Sequence, residues 1–335
     1  MNLEKDWIIA EIGSVHDGSF GNAQKLIEAA AAAGANCVKF QTHVAHAETL
    51  ANAPSPSYFK LEPRLQYFQR TGFSLEQWHT LAATAKNANV TFLSSPFALE
   101  AVDLLEQVGV EAYKIPSGEV TNLPLMRRVA ATGKPVLLSS GMSTWAELAA
   151  AVDILQPAAP LCVMQCTSAY PCPPEQVGLN NLEEIRKRFP GVALGYSDHT
   201  LGVAAGIAAV TLGATLVEKH FTFSRLMYGS DAKNSMEPME FHAFCASLRE
   251  AWAMRRNPVD KDRLAAEQLG DMKQTFEKSI VAARAMAGGA LITENDLAFK
   301  KPGDGISAAV SEKLVGRRLK AAVPADHKFS WEDFE

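Results

Sequence analysis

Short apolar runs recur eight times between Trp7 and Thr222, and each closes on a polar or ionisable residue. The runs are Trp7 to Gly13, Asn36 to Thr42, Val90 to Ser95, Ala112 to Ser117, Pro135 to Ser140, Leu161 to Ser168, Val192 to Asp198 and Thr215 to Thr222. They are near-continuous rather than alternating, which is the pattern of strands covered on both faces. Helical segments separate most of them. Ser74 with Gln77 and Thr144 with Glu147 match the capping box, in which each side chain satisfies a free backbone amide at the other end. Leu148, Val152 and Leu155 then form a helical stripe, as do Phe241, Cys245, Leu248 and Trp252. Strand–helix alternation predicts a parallel sheet, and eight repeats predict closure into a (β/α)8 TIM barrel.

After Asn257 the pattern changes. A polar, charged helical stretch from Asp260 to Lys273 leads into short segments, such as Ser279 to Ala283, broken by Gly288-Gly289 and Pro302-Gly303. The expected organisation is an α/β barrel over residues 1–258, a linker over 259–276 and a small, mostly β domain over 277–335. A domain of that size has little core of its own, so docking is expected to support it.

The 335 residues are 47% apolar, enough for a large barrel core. A net charge of −5 with dispersed Lys and Arg excludes the footprint of a nucleic-acid binder and leaves a small molecule as the expected partner. No stretch approaches the roughly 20 apolar residues of a membrane span, and Met1 to Trp7 lack a leader's apolar core, so a cytoplasmic location is expected. The five cysteines show no CxxC spacing and imply neither a disulfide framework nor a zinc cluster. Cys37, Cys162, Cys166 and Cys245 read as core residues; Cys172, between two prolines, is also open to a redox or active-site role.

In a barrel of this kind the strand C-termini meet around one mouth, where active sites are built. The run ends collect Glu11, Lys39, Gln41, Ser94, Ser95, Lys114, Ser117, Ser139, Ser140, Thr167, Ser168, Ser197, His199 and His220. His199 and His220 end adjacent strands, about 4.8 Å apart, and could share a divalent cation or simply bond within their loops. Alternation puts Ser197 on the face of His199 and Glu218 on that of His220. Lys39 and Lys114 interrupt apolar runs, so each needs an anion or a neutral, Schiff-base role. The surrounding hydroxyls favour a bound phosphate and carboxylate; an internal Lys–Glu pair is the alternative. Glu11 is a candidate acid or base, or a lysine's partner. Asp231 suits a hydroxyl-rich ligand or a plain turn.

The motifs Ala10-Glu11-Ile12-Gly13 with His16-Asp17-Gly18, Val38-Lys39-Phe40-Gln41-Thr42, Phe92-Leu93-Ser94-Ser95-Pro96-Phe97, Lys114-Ile115-Pro116-Ser117-Gly118-Glu119, Leu138-Ser139-Ser140-Gly141-Met142, Tyr196-Ser197-Asp198-His199-Thr200 and Glu218-Lys219-His220-Phe221-Thr222 together resemble the sialic acid synthase family. Lys301-Pro302-Gly303-Asp304-Gly305-Ile306-Ser307 resembles its antifreeze-like (SAF) domain. The ordered set spans nearly the whole chain.

The resemblance implies condensation of phosphoenolpyruvate with an open-chain N-acylated mannose-type aldose. The product is a nine-carbon 2-keto-3-deoxy acid, and phosphate leaves by C–O cleavage. It assigns His199 and His220 to Mn²⁺ or Mg²⁺ acting on the aldehyde oxygen. Lys39, Ser95, Lys114, Ser117, Ser139, Ser168, Tyr170 and Ser197 match positions around phosphoenolpyruvate, Glu11 the acid/base, and Gln41, Glu119 and Asp231 the sugar side. It also implies a domain-swapped homodimer in which one small domain closes the partner's barrel. Val15, Ser95, Ser168, Ala232 and Lys301 stand where the family usually has Asn, Thr, Asn, His and Arg. Lysine cannot reproduce a guanidinium fork, so Val15, Ala232 and Lys301 leave the sugar open. Two rivals remain: a metal-free Schiff-base aldolase using Lys39, Lys114 or Lys219, and a non-catalytic sugar-binding protein.

Overall fold

The computed structural model describes residues 1–54 and 62–335. The chain divides into two compact units, Met1–Arg256 and Asn257–Glu335. The first is a closed, all-parallel barrel whose strands follow chain order: β1 (Trp7–Gly13), β2 (Cys37–Thr42), β3 (Thr91–Pro96), β4 (Tyr113–Ile115), β5 (Val136–Ser139), β6 (Leu161–Cys166), β7 (Ala193–Asp198) and β8 (Leu216–His220). β8 pairs back onto β1 and closes the ring.

The helices are α1 (Phe20–Ala32), the short α2 (Ala45–Glu48), α3 (Arg64–Thr71), α4 (Leu75–Asn87), α5 (Leu99–Val108), α6 (Leu123–Ala130), α7 (Trp145–Leu155), α8 (Asn180–Arg188), α9 (Ala204–Thr211) and α10 (Pro238–Arg256). Both expected capping boxes form, at Ser74/Gln77 before α4 and Thr144/Glu147 before α7. The expected stripes, Leu148, Val152 and Leu155 on α7 and Phe241, Cys245, Leu248 and Trp252 on α10, are buried.

Strand alternation splits the core in two. Outward residues such as Ile8, Ala10, Val38, Phe40 and Val163 pack with the helices in one large cluster. Ile9, Cys37, Leu93, Ala112, Leu137, Cys162, Met164 and Leu216 form a second cluster that fills the barrel, joined by Leu3. The barrel is therefore a packed plug up to the level where its inward side chains turn polar.

Lys219 lies on the outward face. Its ammonium is 2.8 Å from Asp198 Oδ2 and donates to the Thr200 and Gly202 carbonyls, on the opposite face of β8 from the inward side chains of the mouth. This removes it as the Schiff-base lysine of the aldolase alternative. Lys219→Met should leave Asp198 buried and unpaired, lowering stability by about 3–5 kcal/mol in a denaturant titration.

Cys172 is buried, its thiol pushed up first by burial, which makes it a small core residue rather than a redox group.

In the second unit the segment read as a linker holds two short helices, α11 (Lys261–Glu267) and α12 (Gly270–Phe276). β9 (Ser279–Ala282) and β10 (Leu297–Lys300) pair antiparallel, isolated bridges tie Ser307 and Lys328 to β9, and further bridges join the loops to one another. Contrary to the expectation of little core, Ile280, Ala282, Ile292, Ile306, Leu314, Leu319, Val323, Phe329 and Phe334 form a buried cluster within this unit. Hydrophobic residues gathered from loops, not strands, supply most of it, which is why strand-seeking alone underrates it.

Among the described residues, no helix is long and apolar enough to cross a membrane.

Candidate active site

The register of the barrel decides which polar residues meet. Glu11 is the neighbour of Lys39 on β2 and of His220 on β8, and Ser197 is the neighbour of Cys166 and Glu218. Inward residues from these strands form an ionic layer above the apolar plug. Lys39 Nζ is 2.6 Å from Glu11 Oε2 and 3.7 Å from Glu218 Oε1. Lys114 Nζ lies 3.0 Å from the same Glu218 oxygen, which also accepts from Ser197 Oγ at 3.2 Å. Gln41 Nε2 donates to Glu11 Oε1 at 2.8 Å, and Lys39 donates to Ser95 Oγ at 3.3 Å. The lysines thus have internal glutamate partners, the alternative that the sequence left open beside a bound anion.

Glu218 faces two ammonium groups and Glu11 faces one. Burial pushes the Glu218 carboxyl up, but Lys114 and Lys39 outweigh it and hold it down at about 2. Burial raises Glu11; Lys39 opposes the rise and the Glu218 charge adds to it. Of the two carboxyls, Glu11 is therefore the one suited to carry and deliver a proton.

The imidazoles of His199 and His220 stand 5.5 Å apart between ring centres, with Tyr170 against His199 at 4.2 Å. His199 Nδ1 is 2.9 Å from the Thr167 carbonyl, so it donates there and leaves Nε2 as the lone-pair nitrogen. Burial, opposed by Asp231, pushes His220 down to about 4 and keeps it neutral near pH 7, and its Nδ1 is buried with no hydrogen-bond partner among the described residues. Two imidazoles facing each other, with His199 Nε2 and His220 Nδ1 not committed to protein partners among the described residues, fit a divalent cation. Among the described residues no group of three or more His, Cys, Asp and Glu side chains gathers as a metal cage, so water and substrate would fill the other positions.

These groups line a cavity of about 430 Å³ that also takes in Gln41, Ser117, Ser139, Ser168, Ser197 and Asp231. Ser95 lies behind Lys39 as its hydrogen-bond acceptor. Glu119 is not among the lining residues; it is half-buried, accepts from Asn122 Nδ2 at 2.8 Å and is raised by burial. Lys301 belongs to the second unit, where its ammonium stands 5.0 Å from the centre of the Phe276 ring.

Two glycines keep the cavity open. Gly13 has φ +53°, and a Cβ there would come within 2.9 Å of Asp231 Oδ2. At Gly141 a Cβ would fall 2.7 Å from Ser168 Oγ and 2.8 Å from both Cys166 Sγ and Ser117 Oγ. Gly141→Ala should therefore weaken binding of an anionic ligand about tenfold or more in a titration while the barrel stays folded.

Several lining residues escaped the sequence reading. Cys166, read there as core, lines the cavity, 3.8 Å from His199 Nδ1 and within reach of the Ser117 hydroxyl. Alternation from Cys162 and Met164 would have revealed it. His43, Arg64, Tyr67, Phe68, Phe97 and Met142 form the outer wall, with His43 stacked between Phe68 at 3.7 Å and Phe97 at 4.2 Å. Phe97 and Met142 end two of the motifs that carry the family resemblance, whereas His43 and the three α3 residues sit on a loop and an eight-residue helix outside the barrel pattern, so no signal marked them.

The NeuB family profile matches residues 26–260, and the SAF domain profile matches residues 277–335. The chain belongs to the NeuB family. It is 36% identical over 94% of its length to the N,N'-diacetyllegionaminic acid synthase of Campylobacter jejuni, covering 96% of that protein. It is 32% identical over 96% of its length to the human N-acetylneuraminate-9-phosphate synthase, covering 90% of it. The crystal structure of the N-acetylneuraminic acid synthetase of Leptospira borgpetersenii superposes with a TM-score of 0.70 at 26% identity, over 82% of this chain and 94% of that one.

His16, in one of the motifs that carried the family resemblance, is a packing residue. Its ring lies against Phe73 at 4.6 Å and its Nδ1 accepts from the Gly18 amide, with burial pushing it down to about 4. An unfolded histidine titrates near 6.5, so the unfolded state binds the extra proton first. This stability contribution is complete above about pH 6.5 and disappears as pH falls to about 4, a loss on the order of 3 kcal/mol. Urea titrations of the protein and His16→Leu across that window should show the acid limb only with histidine present.

Proposed function

We propose that the protein condenses phosphoenolpyruvate with an open-chain N-acetylmannosamine-like or diacetamido-trideoxy aldose to a nine-carbon 2-keto-3-deoxy sugar acid and phosphate. It would thus be a C–C bond-forming transferase of the N-acetylneuraminate synthase type. The observation that carries this reading is one cavity in which two ion-paired lysines and a ring of hydroxyls face two free imidazole nitrogens. The names of the legionaminate and N-acetylneuraminate-9-phosphate synthases support it.

In this reading Lys39 and Lys114 hold the phosphate and carboxylate of phosphoenolpyruvate, with Ser117, Ser139, Ser168 and Ser197 donating. The Ser139 hydroxyl, buried without a partner among the described residues, is ready to do so. His199 and His220 would hold Mn²⁺ or Mg²⁺, which when bound polarises the aldehyde as a Lewis acid. Tyr170, against His199, fixes that ring. Gln41, Asp231 and, from its loop, Glu119 are assigned to the sugar hydroxyls. The C3 carbon of phosphoenolpyruvate attacks the aldehyde carbon, and Glu11 delivers the proton to the new hydroxyl. Water adds at C2 and yields a proton to the emptied Glu11. The C2–O bond to the phosphate then breaks, the proton of the C2 hydroxyl leaves with the phosphate, and the ketone remains.

Both mouth lysines are ion-paired with carboxylates, which disfavours the Schiff-base aldolase. A non-catalytic sugar-binding protein would carry this buried ionic layer at a cost in stability with no return.

We further assign Lys301 to the sugar of a partner subunit in a homodimer. Lys301→Ala should weaken sugar use far more than phosphoenolpyruvate use, and mixing it with Glu11→Ala should restore part of the activity once subunits exchange. No recovery after demonstrated exchange contradicts the shared site.

Phosphoenolpyruvate labelled with ¹⁸O in its bridging position tests the reaction itself. The label should appear in inorganic phosphate; label kept in the keto acid means P–O cleavage and another mechanism.

A further inference from the structure

The outer wall of the cavity holds a cation that the reaction does not use. Arg64 opens α3, and Arg64, Tyr67 and Phe68, one helical face at i, i+3 and i+4, all line the cavity. The Arg64 guanidinium stands 5.3 Å from the centre of the Phe68 ring, and its Nε is buried with no hydrogen-bond partner among the described residues. A buried, unpartnered donor costs stability unless a ligand accepts from it. Beside it the stacked rings of Phe68, His43 and Phe97 supply an apolar surface.

A charged donor beside aromatic faces suits an N-acyl group, whose carbonyl accepts from the guanidinium while the methyl packs on the rings. A phosphate fits less well. The Glu48 and Glu119 carboxylates lie close enough to feel each other, together with Arg64 and His43, and would repel a dianion.

α3 stands in chain order between β2 and α4, and its Arg64, Tyr67 and Phe68 line the same cavity as the imidazoles and Glu11. An aldose whose aldehyde is held at the imidazoles would have α3 as one wall for its remaining carbons. We propose that Arg64 is the residue that selects for a second N-acyl substituent on the half of the aldose remote from the aldehyde, at C4. This rests on the proposed condensation.

Arg70 is its positioning residue. Its guanidinium clasps Glu62, with Nε 2.9 Å from Oε2, and reaches Asp17 Oδ1 at 2.7 Å. It lies 5.1 Å from the Tyr67 ring centre and 5.6 Å from that of Tyr228, whose hydroxyl donates to Glu62 at 3.1 Å. Asp17 follows β1 and Tyr228 follows β8, so one side chain ties α3 to the two loops flanking the catalytic carboxyl.

The test is steady-state kinetics of the full-length protein with phosphoenolpyruvate and three aldoses: N-acetylmannosamine, its 6-phosphate, and a 2,4-diacetamido-2,4,6-trideoxymannose. The unsubstituted protein should favour the diacetamido sugar. Arg64→Ala should raise its KM for that sugar by about 10- to 100-fold, the worth of one charge-assisted hydrogen bond. KM for phosphoenolpyruvate and for N-acetylmannosamine should stay nearly unchanged, and Arg64→Lys should recover part of the loss. Arg70→Ala should shift the same sugar preference in the same direction, which a purely stabilising role would not do.

An equal loss for all three sugars, or a loss confined to the 6-phosphate, overturns the assignment. If the unsubstituted protein condenses none of them, the underlying reaction fails instead.

Discussion

Glu218→Ala should destabilise the barrel by about 3–5 kcal/mol, because two buried ammonium groups lose the carboxylate between them. Lys114 has its 3.0 Å contact there, Lys39 a 3.7 Å contact and Ser197 its hydrogen-bond acceptor. The dependence on pH has a definite sign. The Glu218 carboxyl is held at about 2, below its ordinary 4.5, so its contribution is complete above about pH 4.5 and disappears as pH falls toward 2. Glu218→Gln keeps the shape and removes the charge, so its stability should fall less steeply with acid over that window. Chemical denaturation of the three proteins from pH 2 to pH 7 measures both effects. An alanine variant as stable as the parent would mean that the lysines do not depend on this carboxylate.

The second large effect is expected at the imidazoles. His199→Ala and His220→Ala should each remove measurable Mn²⁺ binding by calorimetry and reduce condensation about a thousandfold or more, the several kcal/mol that a Lewis acid supplies. Circular dichroism should show both variants folded, since neither ring is part of the apolar plug. Chelation of the parent protein should abolish turnover, and added Mn²⁺ should restore it. Full turnover in metal-free buffer would favour a metal-independent reaction.

The barrel was legible because its strands are covered on both faces, so runs such as Leu161 to Ser168 carry the signal without help from neighbours. The mouth was legible for the same reason, since a polar residue ending such a run has nowhere else to go. Partners were less legible. Lys39 and Lys114 plainly needed anions, yet only the closed barrel, which brings β1, β2, β4 and β8 around one interior, reveals that Glu11 and Glu218 provide them. Lys219 stood as a candidate although it is next to Glu218 in sequence. Alternation sends it to the opposite face, where Asp198 holds it. The outer wall was silent, since Arg64, Tyr67 and Phe68 sit on a helix of eight residues inside a loop, and their meeting with His43 and Phe97 is purely tertiary.

The central claim is that this chain joins phosphoenolpyruvate to an acetamido aldose. Its most direct test incubates purified protein with a divalent cation, an acetamido sugar and either phosphoenolpyruvate or pyruvate, recording phosphate release and product mass. The account predicts one phosphate per product, a product mass equal to aldose plus phosphoenolpyruvate plus water minus phosphoric acid, and no product from pyruvate. Product formed from pyruvate, without phosphate release and without metal, would contradict it.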